Sequence, residues 1–151
     1  MHQEISLSGN IITSIDAMVI ILLLSILGFL NAFYLYWQHK REVTTGQKMF
    51  CLIGGDCGAV VGSKYGRTLG IKNETVGMVY YFLLGTYSLL SILIPPIVSQ
   101  FQVLVKIAVV VAVIFSLYLL YAQTIILRKF CSWCLIAIAI NILIAYVVFI
   151  F

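Results

Sequence analysis

The segment from Ala17 to Trp37 reads AMVIILLLSILGFLNAFYLYW and contains no charged residue. The hydrocarbon core of a bilayer is about 30 Å thick, and a helix of roughly 20 apolar residues is long enough to cross it. Tyr34, Tyr36 and Trp37 end the segment with the aromatic residues that are typical of a membrane interface. The segment therefore predicts a transmembrane helix at residues 17–37.

Three more apolar runs of similar length predict transmembrane helices at residues 75–94, 103–127 and 131–151. Pro95 and Pro96 end the second of the four helices and indicate a tight connection to the third. The one long connection, residues 39–74, contains many apolar residues, so we expect a partly helical cap on the membrane surface. The predicted fold class is all-α: an integral membrane bundle of four transmembrane helices, forming one domain over residues 1–151.

The composition limits the classes of function. Hydrophobic residues make up 63% of the chain and charged residues 9%, and the mean hydropathy is +1.13, so too few charges are present to cover a soluble core. The net charge of +4 comes from basic residues in loops, without the interleaved aromatic residues of a nucleic-acid surface, so no nucleic-acid partner is expected. Within the four predicted spans, Lys106 is the one charged residue, which argues against a channel or a charge-coupled transporter.

Four cysteines in two pairs carry the chemistry that the sequence predicts. Cys51 and Cys57 lie in the long loop, and Cys131 and Cys134 form a Cys-Ser-Trp-Cys motif at the start of the fourth helix. The first and third connections of a four-helix membrane protein lie on the same side, so the two pairs share a face. The Cys131–Cys134 spacing places both sulfurs on one side of a first helical turn, where the helix dipole favours a thiolate. A mobile pair opposite a fixed pair predicts thiol–disulfide exchange.

Two other interpretations of the cysteines remain open at this point. A four-cysteine zinc site would have an unusual spacing in its first pair, and its second pair would be partly in lipid. Two structural disulfides are also conceivable, although a bridge within one turn of a lipid-held helix adds little stability. We expect a redox function without a metal. Because no haem-ligand or nucleotide-binding pattern is present, a lipid-soluble quinone is the expected electron acceptor.

The stretch from Cys57 to Ile71, CGAVVGSKYGRTLGI, resembles the vitamin K epoxide reductase family in its stand-alone microbial form. Asn73 and Gly77 at the second helix and the Cys-Ser-Trp-Cys motif in the fourth match the same family, so the resemblance covers most of the chain from Phe33 onward. It implies a quinone, ubiquinone or menaquinone, as electron acceptor. It also implies a separate thioredoxin-fold, DsbA-like protein as electron donor, and hence support of protein disulfide formation.

The resemblance further implies roles for individual residues. Carried over by position, Cys51 exchanges with the thioredoxin-fold partner, Cys57 passes electrons to Cys131, and Cys134 reduces the quinone. These four cysteines are the predicted catalytic residues, and Cys134 is also predicted to contact the quinone.

Ser63 and Asn73 match polar positions near the quinone pocket of the family and are predicted to bind the quinone. Ordinary structural alternatives are a helix cap or turn for Ser63 and an N-cap of the second helix for Asn73. Ile138 stands where animal members have a tyrosine one turn after the motif, which favours simple quinone reduction over epoxide reduction. The competing functions are a quinone or vitamin K epoxide reductase whose main product is the reduced quinone, and a non-enzymatic scaffold with structural cysteines.

Two arguments about membrane orientation conflict. Every basic residue except Lys106 lies on the predicted cysteine face, and the positive-inside rule would place that face in the cytoplasm. The family resemblance and the persistence of disulfides in oxidising compartments favour the opposite orientation, and long loops count less in the rule. We expect an integral protein of the cell membrane whose cysteine face is extracytoplasmic, with a cytoplasmic face as the alternative.

Overall fold

The computed structural model describes the backbone of residues 2–151 and the side chains of residues 13–96 and 98–151. In chain order, the α-helices are α1 (His2–Thr45), α2 (Cys57–Val61), α3 (Asn73–Leu93), α4 (Pro95–Val98), α5 (Gln102–Tyr121) and α6 (Ser132–Ile150). Single 3₁₀ turns lie at Lys64–Gly66 and Ser99–Phe101, a π-helical turn at Ala122–Ile126, and two short strands at Arg67–Thr68 (β1) and Ile71–Lys72 (β2).

Four helices in the described part of the chain are long and apolar enough to cross a membrane, at Thr13–Thr45, Asn73–Leu93, Ser99–Ile126 and Ser132–Ile150. This confirms the predicted fold class. Large apolar side chains on these helices point outward, as lipid-facing side chains do in a bundle without a polar surface. Examples on each helix are Leu23, Leu83, Val111 and Leu143, all more than half exposed.

The predicted end of the first helix at Trp37 is wrong, because α1 continues to Thr45. Charged residues after Trp37 end the apolar span, but residues such as Lys40 and Arg41 favour a helix and do not stop it. The helix ends at Gly46, whose φ of +70° is the left-handed conformation that favours glycine after a helix. The predicted loop cap therefore begins at Gly46 and not at residue 39.

The helices pack closely enough for glycine to be required at one crossing. A Cβ atom on Gly28 of α1 would lie 2.4 Å from the Tyr81 ring of α3, so only glycine lets that ring lie against the α1 backbone. The α6 helix packs against both α1 and α5. The buried centre of the bundle comprises Ile21, Ala32, Tyr81, Leu84, Val109, Ile140, Ile144 and Val147, together with Ala17.

The cap contains a small hairpin that the sequence analysis did not anticipate. β1 and β2 pair antiparallel, with Thr68 opposite Ile71. Leu69 and Gly70 between them have φ angles of +52° and +84°, the pattern of a two-residue turn whose twist suits a hairpin. The hairpin leads directly into α3 and fixes the start of that helix beneath the cap.

Candidate active site

The structure brings all four cysteines together in one cluster at the cap end of the bundle. Cys51 and Cys57 form a disulfide with their Cα atoms 5.8 Å apart. Cys131 and Cys134 are free thiols whose sulfur atoms lie 2.7 Å apart. The cluster thus contains an oxidised pair in the cap beside a reduced pair at the start of α6. Among the residues that the structure describes, no group of three or more His, Cys, Asp or Glu side chains is placed to hold a metal ion.

Backbone contacts hold the disulfide loop on the segment that precedes α6. The N–H of Asp56 donates to the Phe130 carbonyl at 3.1 Å, and the N–H of Ile53 donates to the Ser132 hydroxyl at 3.1 Å. The sulfur of Cys51 lies 3.7 Å from that hydroxyl oxygen and 3.9 Å from the Phe130 carbonyl oxygen. The loop disulfide is therefore docked directly against the residues on either side of Cys131.

Two further contacts restrict the position of the disulfide loop against the segment before α6. A Cβ atom on Gly55 would lie 2.2 Å from the Phe130 carbonyl oxygen, so the loop backbone touches the segment before α6 there. The indole N–H of Trp133 donates to the Phe50 carbonyl at 2.9 Å, and its ring packs against Tyr34 with centroids 4.5 Å apart. Trp133 thus connects the motif to both the loop and α1.

One exposed ion pair also links the loop to the segment before α6. Lys129 Nζ lies 2.8 Å from Asp56 Oδ2, and about half of each side chain is exposed. The Lys129 ammonium and, to a smaller extent, the Ala59 backbone N–H hold the pKa of the Asp56 carboxyl below its ordinary value of 3.8. Exposed pairs contribute at most about 1 kcal/mol, so this contact adds to the docking without dominating it.

Cys131 is buried and has the surroundings of a stabilised thiolate. Its sulfur accepts the backbone N–H of Cys134 at 3.3 Å, and the Cys134 thiol is placed to donate to the same sulfur. That thiol hydrogen bond is the main reason why the pKa of Cys131 is lowered, although burial and the Glu74 carboxylate act in the opposite direction. The Cys131 N–H donates to Gln123 Oε1 at 3.1 Å, which fixes the residue at the N-cap of α6.

A cavity of about 410 Å³ lies inside the bundle beneath the cap. Its size falls in the range of small-molecule sites, about 300–1,000 Å³. Side chains such as Leu35, Val111, Phe115 and Ile138 give it an apolar wall. Cys134 also lies on this wall, whereas Cys131 does not, so only the second cysteine of the motif faces the cavity.

Three polar atoms on the cavity wall are buried without a hydrogen-bond partner among the described residues. They are Asn31 Oδ1, Tyr80 Oη and Gln123 Nε2. The Asn31 amide is oriented by its other end, since Nδ2 donates to the Trp133 carbonyl at 3.1 Å. Buried polar groups in proteins are nearly always paired, so unpaired groups on a cavity wall indicate a ligand with polar atoms. A quinone fits, because its ring and tail are apolar and its two carbonyls accept hydrogen bonds.

Ser63 and Asn73, the two polar residues predicted to bind the quinone, occupy different positions. The Ser63 hydroxyl donates to the Val60 carbonyl at 2.7 Å and accepts the Tyr65 N–H at 3.2 Å, and Ser63 is not among the cavity-lining residues. Asn73 does line the cavity, but its amide pairs with the Tyr65 carbonyl and the Thr68 hydroxyl, each at 2.7 Å. Ser63 therefore caps a turn. Asn73 is the first residue of α3 and ties that helix to the cap, whereas the N-cap position belongs to Lys72. The contact of Ser63 and Asn73 with a quinone stays a prediction.

A buried pair of a histidine and a glutamate lies on the same cavity. His39 Nδ1 and Glu74 Oε1 are 2.9 Å apart, with side chains 8% and 1% exposed, and Glu74 is one of the lining residues. In the sequence, these two residues are the ends of the predicted loop, residues 39–74. They are buried because α1 extends past Trp37 and carries His39 across to the start of α3.

Several residues of this site were not predicted from the sequence, although the sequence contains a signal for two of them. Asn31 and Gln123 are amide side chains within long apolar segments, where polar residues often have a functional role. Tyr80 gave no such signal, because tyrosine is common in membrane helices. His39 and Glu74 are 35 positions apart, and only the fold shows that they pair.

A family model described as "Vitamin K epoxide reductase family" matches residues 19–149 of this chain. The match covers nearly the whole sequence and includes the docked loop, the cap, the cavity and the Cys-Ser-Trp-Cys motif.

Proposed function

Because the chain belongs to the vitamin K epoxide reductase family, we propose that it is a membrane thiol–disulfide oxidoreductase that transfers electrons from a thioredoxin-fold partner to a quinone. The proposed physiological result is disulfide formation in proteins, driven by quinone reduction. The observation that carries the proposal is the position of Cys134, which contacts Cys131 on one side and lines an apolar cavity on the other.

The proposed electron path has three thiol steps. A reduced, DsbA-like partner reduces the Cys51–Cys57 disulfide, beginning at Cys51, the more exposed of the two sulfurs. Cys57 then attacks Cys131 in the oxidised motif, and the bridge between Cys131 and Cys134 breaks. When Cys51 displaces Cys131 from Cys57, the loop disulfide forms again and the motif becomes a dithiol. This final arrangement is the one that the structure contains, a loop disulfide beside two free thiols.

The last step places the quinone in the cavity beside Cys134. The two sulfurs of the motif give up two electrons and form a disulfide, while the quinone gains two electrons and two protons. Tyr80 and Gln123 are suited to donate hydrogen bonds to a quinone carbonyl, and Asn31 Oδ1 is suited to accept one from the hydroxyl of the product. Ubiquinone and menaquinone share these features, so either can serve as acceptor.

We propose that the cysteine face is extracytoplasmic, where substrate proteins need disulfides. An impermeant thiol reagent, applied to intact cells after mild reduction, tests this orientation. Labelling of Cys51 without lysis supports it, and labelling only after lysis contradicts it.

Quinone reduction by the purified protein in detergent tests the function. We expect activity with a reduced thioredoxin-fold protein and with a small dithiol. Cys134→Ala should lose activity with both donors. Cys51→Ala should lose activity with the protein donor and keep part of it with the small dithiol, which can reach the motif directly.

The outcomes separate this proposal from its competitors. Inactive wild type would favour a scaffold with structural cysteines. Activity with a small dithiol but with no thioredoxin-fold donor would favour a quinone reductase whose main product is the reduced quinone. Ser99→Ala is a control outside the site, since it removes a hydroxyl and leaves all four sulfurs and the docking contacts in place.

A further inference from the structure

The buried pair of His39 and Glu74 is a costly feature for a membrane protein to retain. Moving polar or charged groups out of water is unfavourable unless they are well paired. An apolar contact would join α1 to α3 at a smaller cost. Glu74 instead lines the same cavity as Cys134, so the pair lies at the proposed quinone site.

The chemistry of the motif leaves one proton without a direct route. When the dithiol reduces a quinone, two protons must reach the two quinone oxygens. Cys134 lies on the cavity wall and can deliver its own proton there. Cys131 is fully buried and does not line the cavity, so its proton needs a carrier.

The hydrogen bonds at Cys131 favour loss of this proton in the dithiol state. Its sulfur accepts both the thiol and the backbone N–H of Cys134, which is the arrangement of a thiolate. Glu74 is near enough to oppose the ionisation of Cys131, so a negative Glu74 and a Cys131 thiolate disfavour each other. A proton on the His39–Glu74 pair removes this conflict.

We propose that the His39–Glu74 pair holds the proton that Cys131 loses and donates it through Glu74 to the quinone. This inference rests on the proposed function and adds the route of the second proton. The Cys131 thiolate, the Cys134 thiol, the protonated pair and the quinone are converted into a disulfide, a quinol and the deprotonated pair. The two sulfurs lose two electrons, and the quinone receives those electrons, one proton from Cys134 and one from the pair.

The return step balances in the same way. The loop dithiol reduces the disulfide of the motif and brings two protons. One stays on Cys134, the other passes to the pair, and Cys131 leaves as a thiolate. The buried site keeps the same net charge in both states, because the pair gains a positive charge when Cys131 gains a negative one. This constancy avoids the cost of creating an unpaired charge in the bundle.

A proton count that needs no quinone tests the first half of the proposal. Dithiothreitol releases two protons when it reduces a disulfide, and wild-type protein should take up about two at the motif, one on Cys134 and one on the pair. Net release at the motif is then close to zero. In Glu74→Gln, uptake should fall to about one proton and net release should rise to about one per motif. Glu42→Gln is the matched control, since it removes a carboxylate at the same end of the bundle that does not line the cavity.

A single-turnover reaction of reduced protein with quinone tests the second half. In Glu74→Gln, the rate at saturating quinone should fall between about 100-fold and 10,000-fold, the usual contribution of a positioned proton donor. The quinone concentration for half-saturation should change less than about threefold. Glu74→Asp should recover most of the rate, because it retains a carboxyl group. The double variant His39→Gln/Glu74→Gln should be no slower than Glu74→Gln alone, since the pair acts as a unit.

Each alternative outcome is decisive. Unchanged proton release and an unchanged saturating rate in Glu74→Gln would overturn the proposal, and so would a loss confined to quinone affinity, which would make the pair a binding or structural contact. If Glu74→Gln does not fold, the double variant His39→Gln/Glu74→Gln, whose two amides can form a neutral hydrogen bond, gives the same comparison. Wild type that takes up protons but cannot reduce quinone would contradict the proposed function and leave the proton site intact.

Discussion

Gly55→Ala separates docking of the disulfide loop from the chemistry of the cysteines. The new methyl group would lie 2.2 Å from the Phe130 carbonyl oxygen, which is backbone and cannot rotate away. The loop must therefore move off the segment before α6 by roughly 1 Å or more, since ordinary contacts of a methyl carbon begin near 3.5 Å. Gly54→Ala is the matched control, because a Cβ atom there meets nothing within 4 Å.

The size of the effect follows from the contacts that the movement breaks. The hydrogen bonds from Asp56 N–H to the Phe130 carbonyl and from Ile53 N–H to the Ser132 hydroxyl are each worth about 0.5–1.5 kcal/mol. Their loss weakens docking by about 1–3 kcal/mol, which lowers the ratio of docked to undocked loop roughly 5-fold to 150-fold. The control has a φ of +52° at Gly54, so its methyl group adds strain of about 1 kcal/mol and no clash.

Two measurements should change in opposite directions in Gly55→Ala. Quinone reduction driven by a thioredoxin-fold donor should fall roughly 5-fold to 150-fold if exchange requires the docked loop. Alkylation of Cys131, which is fully buried beneath the docked loop, should become faster by a similar factor. Gly54→Ala should stay within about fivefold of wild type in both measurements. Unchanged alkylation in Gly55→Ala, or equal changes in both variants, would show that docking does not control access to Cys131.

Three other perturbations follow from the site. Ser63→Ala should lower stability by about 1 kcal/mol in detergent, through loss of a turn cap. A raised quinone KM would support the predicted quinone contact of Ser63, and an unchanged KM would contradict it. Tyr80→Phe should raise the quinone KM about 5-fold to 100-fold. It should not lower the thermal stability of the quinone-free protein, because the Tyr80 hydroxyl has no hydrogen-bond partner in that state. An unchanged KM would exclude a hydrogen bond from Tyr80 to the substrate. The contribution of Asp56 to docking should be constant above pH 3.8 and decline as the pH falls through the lowered pKa of its carboxyl. The rate of Cys131 alkylation measures this decline, and Asp56→Asn should abolish the pH dependence.

The fold was largely predictable, because apolar length alone determines which segments cross a membrane. The predicted secondary structure was wrong outside the apolar segments, where contact with lipid no longer determines the fold. Charged residues after Trp37 end the membrane span but not the helix, so α1 runs on to Thr45. The hairpin at Leu69 and Gly70 was missed because its strands are too short to show an alternating pattern.

The cysteine pairs were evident from their spacing, and membrane topology required them to share a face. Their order in electron transfer came only from the family resemblance and stays a prediction. The cavity wall was harder to predict, since Asn31, Tyr80 and Gln123 come from three different helices. The pairing of His39 with Glu74 depends on the unexpected length of α1, so no pattern in the sequence could indicate it.

The order in which the cysteine pairs become oxidised is the most direct measure of the proposed electron path. Fully reduced protein is mixed with quinone and quenched with an alkylating reagent at increasing times, and the protected cysteines are identified by mass spectrometry. Cys131 and Cys134 should become protected first and the loop pair afterwards, and in Cys134→Ala quinone should protect neither pair. Protection of Cys51 and Cys57 at the wild-type rate in Cys134→Ala would show that electrons reach the quinone without passing through the motif.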